Sequence, residues 1–173
     1  AGNEAQTYSL SDYASLSVDG VDIVRDGEVT GETPENVTYD PQANVLTLDN
    51  YVSAPEADSD VGISCYGMGE EFAIRLEGEN SITVSSVFYY EIIRGDYLTF
   101  EGPGTLNLLN VPVLGISYRY GLTIDGCTIN ISSNQSGETM FYGITGSYTN
   151  ECEAVIKDSV INISSSKPGG TEA

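Results

Sequence analysis

The sequence predicts an all-β fold: a short, single-stranded parallel β-helix closed at its N-terminal end by a β cap. Three observations carry this expectation. Helical periodicity is almost absent, short alternating runs rich in β-branched residues fill the chain, and several of those runs line up as a repeat.

The repeat has four clear members: IRLEGENSITV (74–84), LTFEGPGTLNL (98–108), LTIDGCTINI (122–131) and VIKDSVINI (155–163). Each reads as an apolar-x-apolar strand, a polar turn usually holding Gly, and a second apolar-x-apolar strand. Leu76, Phe100 and Ile124 are spaced by 24 residues, and Ile156 follows after 32. A weaker fifth member, VLTLDNY (45–51), places Leu48 28 residues before Leu76. A third recurring strand precedes three of the members, as GISCYG (62–67), GISYRYG (115–121) and GITGSY (143–148).

Three short strands and several turns per unit describe one rung of a solenoid. A rung cannot bury its apolar face alone, whereas stacked rungs share a continuous interior. About four to five coils are expected, right-handed by the chirality of parallel crossovers. Alternation points Leu46/Leu48, Ile74/Leu76, Leu98/Phe100, Leu122/Ile124 and Ile156 inward. A second inward column runs Ile82/Val84, Leu106/Leu108, Ile129/Ile131 and Ile161/Ile163. Two outward columns read Thr83, Asn107, Asn130, Asn162 and Thr47, Arg75, Thr99, Thr123, the polar ladders that in-register parallel strands favour.

Residues 1–44 stay outside the repeat and form the cap, with hairpins turning at Asp19-Gly20 and between Asp40 and Asn44. Residues 45–166 form the coils, with a longer loop inserted at 132–140, and 167–173 read as a polar tail or linker. The opening AGNEAQTYS reads as the mature or truncated start of an exported protein, and the chain as a monomer or as part of a larger surface protein.

Composition narrows the chemistry. With 26 acidic and 6 basic side chains the formal net charge is −20, a field that repels nucleic acid and anionic membranes. No apolar run is long enough to span a bilayer. Histidine is absent, which removes Ser-His and Cys-His nucleophile pairs and ordinary His-ligated zinc. Cys65, Cys127 and Cys152 lack metal-binding spacing and read as small buried hydrophobes, although one disulfide can form among them.

The segments Tyr39-Asp40-Pro41, Asn44, Leu46 to Tyr51, 98–108 and 122–131 together give the chain a family likeness. It resembles the parallel β-helix repeats of secreted and cell-surface proteins of Gram-positive bacteria, within the pectate-lyase-like superfamily. The resemblance covers 37–166. It implies a fold shared by pectate lyases, other polysaccharide-active enzymes and non-catalytic carbohydrate-binding β-helices, and the fold does not choose among them.

Three constellations are candidates for function. Tyr66, Tyr89, Tyr90, Tyr97, Tyr118, Tyr120, Tyr142 and Tyr148 recur in equivalent parts of successive coils. Aromatic rings stack on the apolar faces of sugars while phenols bond sugar hydroxyls. Arg94 and Arg119 precede the strands at 98 and 122 by similar distances, which sets them near Asp96 on adjacent coils. Paired guanidinium groups suit the carboxylates of an acidic polysaccharide. Glu56, Asp58 and Asp60 alternate like hard ligands for Ca²⁺, the one cofactor the sequence suggests, with Glu70/Glu71 and Glu77/Glu79 in the next turns.

The favoured expectation is a non-catalytic extracellular module that binds polysaccharide through Tyr89, Tyr90, Arg94, Tyr97, Tyr118, Arg119 and Tyr120, or that serves as a structural part of the cell surface. The alternatives are a calcium-assisted polysaccharide lyase, with Arg or Lys as base, and a protein-binding adhesin or spacer.

Overall fold

A computed structural model describes residues 10–53, 62–83, 91–133, 140–147 and 151–166. Val84, Tyr89, Tyr90, Tyr148, the proposed calcium ligands Glu56, Asp58 and Asp60, most of the 132–140 loop and the 167–173 tail lie outside the described residues.

The chain is a β-solenoid. Its cap consists of β1 (Ser15–Val18), β2 (Val21–Arg25), β3 (Glu28–Val29) and β4 (Val37–Asp40), and β5 (Val45–Asp49) and β6 (Val52–Ser53) begin the stack. The next rung is β7 (Ile63–Tyr66), β8 (Ala73–Glu77) and β9 (Glu79–Thr83). In the following rung, β10 (Glu91–Glu101) supplies two sides and β11 (Thr105–Leu109) the third. The same holds for β12 (Leu114–Asp125) with β13 (Thr128–Ser133), and β14 (Tyr142–Gly146), β15 (Glu153–Lys157) and β16 (Val160–Ser165) form the last rung.

All pairing between rungs is parallel. The stack makes about three turns, against the four to five coils expected. β5–β6 is a partial unit, and beside β7 its first side is taken by β1, which pairs antiparallel.

Both predicted hairpins form. β1 and β2 join through Asp19 and Gly20, whose φ of 49° and 79° are those of a two-residue turn between twisted strands. β4 pairs with β5 through the Asp40–Asn44 turn. Asn44 takes a φ of 56°, accepts a hydrogen bond from the Tyr39 hydroxyl at 2.8 Å and donates to the Met68 carbonyl at 2.7 Å, tying cap to stack.

The corner between the second and third sides repeats a left-handed residue on every rung: Asn50, Gly78, Gly102, Gly126 and Asp158. Only Gly, Asn and Asp adopt this conformation readily, so the polar turn of the repeat is a geometric requirement.

Inside, Leu46, Leu48, Ile74, Leu76, Leu98, Phe100, Leu122 and Ile124 are buried as expected, with Ile82, Leu106, Leu108, Ile129 and Ile131. Ile156 and Ile163 occupy the inward columns but are about half exposed, at 55% and 52%, because no described strand covers the last rung.

The register differs from the expected one between the first two complete rungs. Phe100 pairs with Ile74, not Leu76, and Ile82 pairs with Leu108, not Leu106. The period there is 26 residues, not 24. The outward columns are therefore Ser81–Asn107–Asn130–Asn162 and Thr47–Arg75–Glu101–Asp125–Lys157. Asn130 and Asn162 each donate an amide at 2.8 Å to the asparagine below, and Arg75 bridges to Glu101 at 2.6 Å.

The shift also sets Asn80 in the inward column under Leu106. Fully buried, its side chain donates to the Glu77 and Thr105 carbonyls and accepts from the Tyr51 amide, so a polar group in the core is satisfied.

Cys65 and Cys127 are buried thiols, as the sequence suggests, whereas Cys152 is exposed, and all three are free.

The corner makes a testable distinction. A Cβ on Gly126 would meet nothing closer than 3.9 Å, so Gly126→Ala carries only the φ penalty, about 1 kcal/mol. A Cβ on Gly102 would lie 2.7 Å from the Leu76 carbonyl oxygen, so Gly102→Ala should cost about 3 kcal/mol. Thermal denaturation should show Tm falling by roughly 3 °C in the first variant and three times that in the second.

Candidate aromatic and arginine face

The first two sides of the rungs meet at a shallow bend, and the side chains there come from three stacked rungs. Tyr66 ends β7, Arg94 and Tyr97 lie in β10, and Arg119 and Tyr120 lie in β12. Between β10 and β12 the ladder runs Gly95–Tyr118 and then Tyr97–Gly121. Asp96 therefore faces two residues, Arg119 and Tyr120, and this bulge turns both side chains away from the ladder.

The bulge builds a continuous row. The Arg94 guanidinium carbon lies 5.7 Å from the centre of the Tyr66 ring, and that of Arg119 lies 5.6 Å from the same ring. Arg119 also sits 5.9 Å from the Tyr120 ring, which packs on Tyr97 at 5.4 Å with the planes tilted by 36°. The row thus reads Arg94, Tyr66, Arg119, Tyr120, Tyr97. Each cation–ring contact stabilises by about 0.5–1 kcal/mol at a half-exposed site.

Carboxylates fix the arginines. Asp96, only 16% exposed, faces Arg119 at 3.2 Å with Oδ1 and accepts the Gly67 amide at 3.0 Å with Oδ2. Arg94 is held more loosely, 4.0 Å from Glu91, with its Nε donating to the Ser64 hydroxyl at 3.3 Å. Arg94 pairs in register with Ser117, not with a residue beside Arg119, so the shared Tyr66 ring is what joins the two arginines.

Two open clefts flank the row. One, of about 340 Å³, is lined by Tyr13, Glu70, Asp96, Tyr97 and Tyr120. The other, of about 330 Å³, is lined by Tyr66, Glu91, Ser117, Arg119 and Thr145.

Of the contact residues expected from sequence, Arg94, Tyr97, Arg119 and Tyr120 come together here. Tyr118 does not present a free face: it is 9% exposed and packs in the core. Tyr142 stands apart on the last rung, its hydroxyl beside Met140. Tyr13 was not anticipated. It is 75% exposed and reaches the face because β1 docks on β7 with Ser15 opposite Tyr66, a long-range pairing with no local sequence signal. Glu70 and Glu71 do approach the face, and among the described residues no cluster of three or more carboxylates or thiols is arranged to hold a metal.

No family model, no curated protein and no solved structure matches the chain.

Burial raises the phenol of Tyr66 above its ordinary value, against the lowering effect of the two arginines. Tyr97 is raised by desolvation and by Glu70, Tyr118 by burial and Cys152, and Tyr39 by burial, to about 12. Folded-state values above the unfolded value of about 10 mean that these phenols stabilise the fold fully below that pH. Their contribution is lost as pH rises through the folded values. A fraction of the phenolate absorbance should therefore develop at higher pH in folded protein than in denaturant, with Tm falling over the same alkaline range.

Proposed function

We propose that this chain is a non-catalytic extracellular module that binds polysaccharide along the row Arg94, Tyr66, Arg119, Tyr120 and Tyr97. The observation that carries the reading is the alternation of cations and rings across three rungs, between two clefts. Sugar rings offer apolar faces to Tyr97 and Tyr120, and their hydroxyl or carboxylate oxygens accept from the arginines. The shallow clefts suit a chain running over the surface better than a small molecule enclosed in a pocket.

The repeat motif and the acidic composition support placing the module at the surface of a Gram-positive cell, in a β-helix of the pectate-lyase-like kind. Its role there is adhesion to, or organisation of, a glycan layer. Among the described residues no helix is long and apolar enough to cross a membrane. Lyase chemistry would need a base facing the substrate, whereas the Arg119 guanidinium is engaged with Asp96 at 3.2 Å.

Binding to a panel of neutral and uronate-containing polysaccharides, with Ca²⁺ and with chelator, tests the proposal. Retention on at least one polymer is expected, weakened about tenfold by Tyr120→Ala and by Arg119→Ala with the fold intact. Unsaturated products from a uronate polymer would replace the module with a lyase. Absence of binding to every polymer would leave the protein-adhesin reading in its place.

A further inference from the structure

The two ends of the solenoid differ. At the start, β1 to β4 cover the first rung with antiparallel strands. At the other end, β14, β15 and β16 each pair on one side only, with β12 or β13, among the described residues. The second row of backbone donors and acceptors of β15 faces outward, as at any sheet edge. Among the described residues the inward apolar columns end there without cover: Ile156 is 55% exposed and Ile163 52%, whereas Ile124 and Ile131 directly beneath are fully buried.

The sequence of β15 specifies what fits this end. It reads Glu153-Ala154-Val155-Ile156-Lys157. Ala154 and Ile156 follow the inward Leu122 and Ile124, so Glu153, Val155 and Lys157 face outward. If β15 pairs antiparallel with its own copy about Val155, Glu153 of each chain stands opposite Lys157 of the other. Inward Ala154 stands opposite inward Ile156, a small side chain against a large one. Faces match at every position, because residues opposed across an antiparallel pair point to the same side.

The same two-fold axis exchanges the neighbouring sides. β16 of each copy then lies along β14 of the other, and Ile161 and Ile163 meet Ile144. We propose that the protein forms a symmetric dimer through its last rung, β15 against β15, with two Glu153–Lys157 cross-strand ion pairs. This sets aside the monomer expected from the sequence. Such an isologous contact uses the same edge on both copies and closes on itself, so it builds a dimer and not a filament.

Sedimentation of the full chain across a concentration series, at about physiological ionic strength, tests the dimer and its register together. A concentration-dependent monomer–dimer equilibrium is expected. Lys157→Glu places like charges opposite each other twice and should weaken dimerisation at least tenfold. The double variant Glu153→Lys with Lys157→Glu should restore it to within about threefold of the parent. Both positions are exposed, and Lys157 also lies 3.8 Å from Asp125 of the rung beneath, so a far-ultraviolet spectrum and Tm check that each variant keeps its fold. A chain that stays monomeric up to about 100 µM overturns the proposal. So does growth into longer oligomers, or a dimer that Lys157→Glu leaves untouched.

Discussion

Every side chain of consequence in this protein is placed by the vertical parallel ladder between rungs. A single rung is a strip of three short strands with one apolar face, and it gains a partner for its backbone groups only from the rung above or below. Once stacked, Leu46, Ile74, Phe100, Ile124 and Ile156 must superpose. The left-handed corner residues must superpose with them. The asparagine amide chain and the Arg75–Glu101 bridge then follow as outward consequences of the same register.

The fold was legible because its strongest signals are local and repeated. Alternation identifies the inward face within each strand, and a Gly, Asn or Asp marks each corner. The register was less legible, and the reason is physical. A strand repeats every two residues, so a two-residue slip leaves each side chain on its own face. The pattern in 74–84 therefore fits beneath 98–108 at a spacing of 24 or of 26 with the same residues buried. What selects 26 lies outside the alternation. Buried Asn80 needs the Thr105 carbonyl, and Arg75 is brought over Glu101.

The face shows the same division. Arg94 and Arg119 were visible as a recurrent pair, but the bulge opposite Asp96 that aims Arg119 and Tyr120 is an irregularity, and irregularities leave little trace in a repeat. Tyr118, one residue before the bulge, faces the core while its neighbours face solvent. Tyr13 enters the face only through the docking of β1 on β7. In a chain of net charge −20, two arginines held on one tyrosine ring concentrate a third of the basic side chains at one place, since the chain has six.

The register of the stack is most directly tested by cross-linking, in a background where exposed Cys152 is replaced by Ser. Ser81→Cys with Asn107→Cys places thiols on in-register neighbours of adjacent rungs, within reach of a disulfide. Thr83→Cys with Asn107→Cys places them two residues out of register. Rapid disulfide formation in the first pair and little in the second is the predicted result. Preferential bridging of Thr83→Cys to Asn107→Cys would mean a 24-residue period between these two rungs, and would contradict the stack from which the face and the open end are derived.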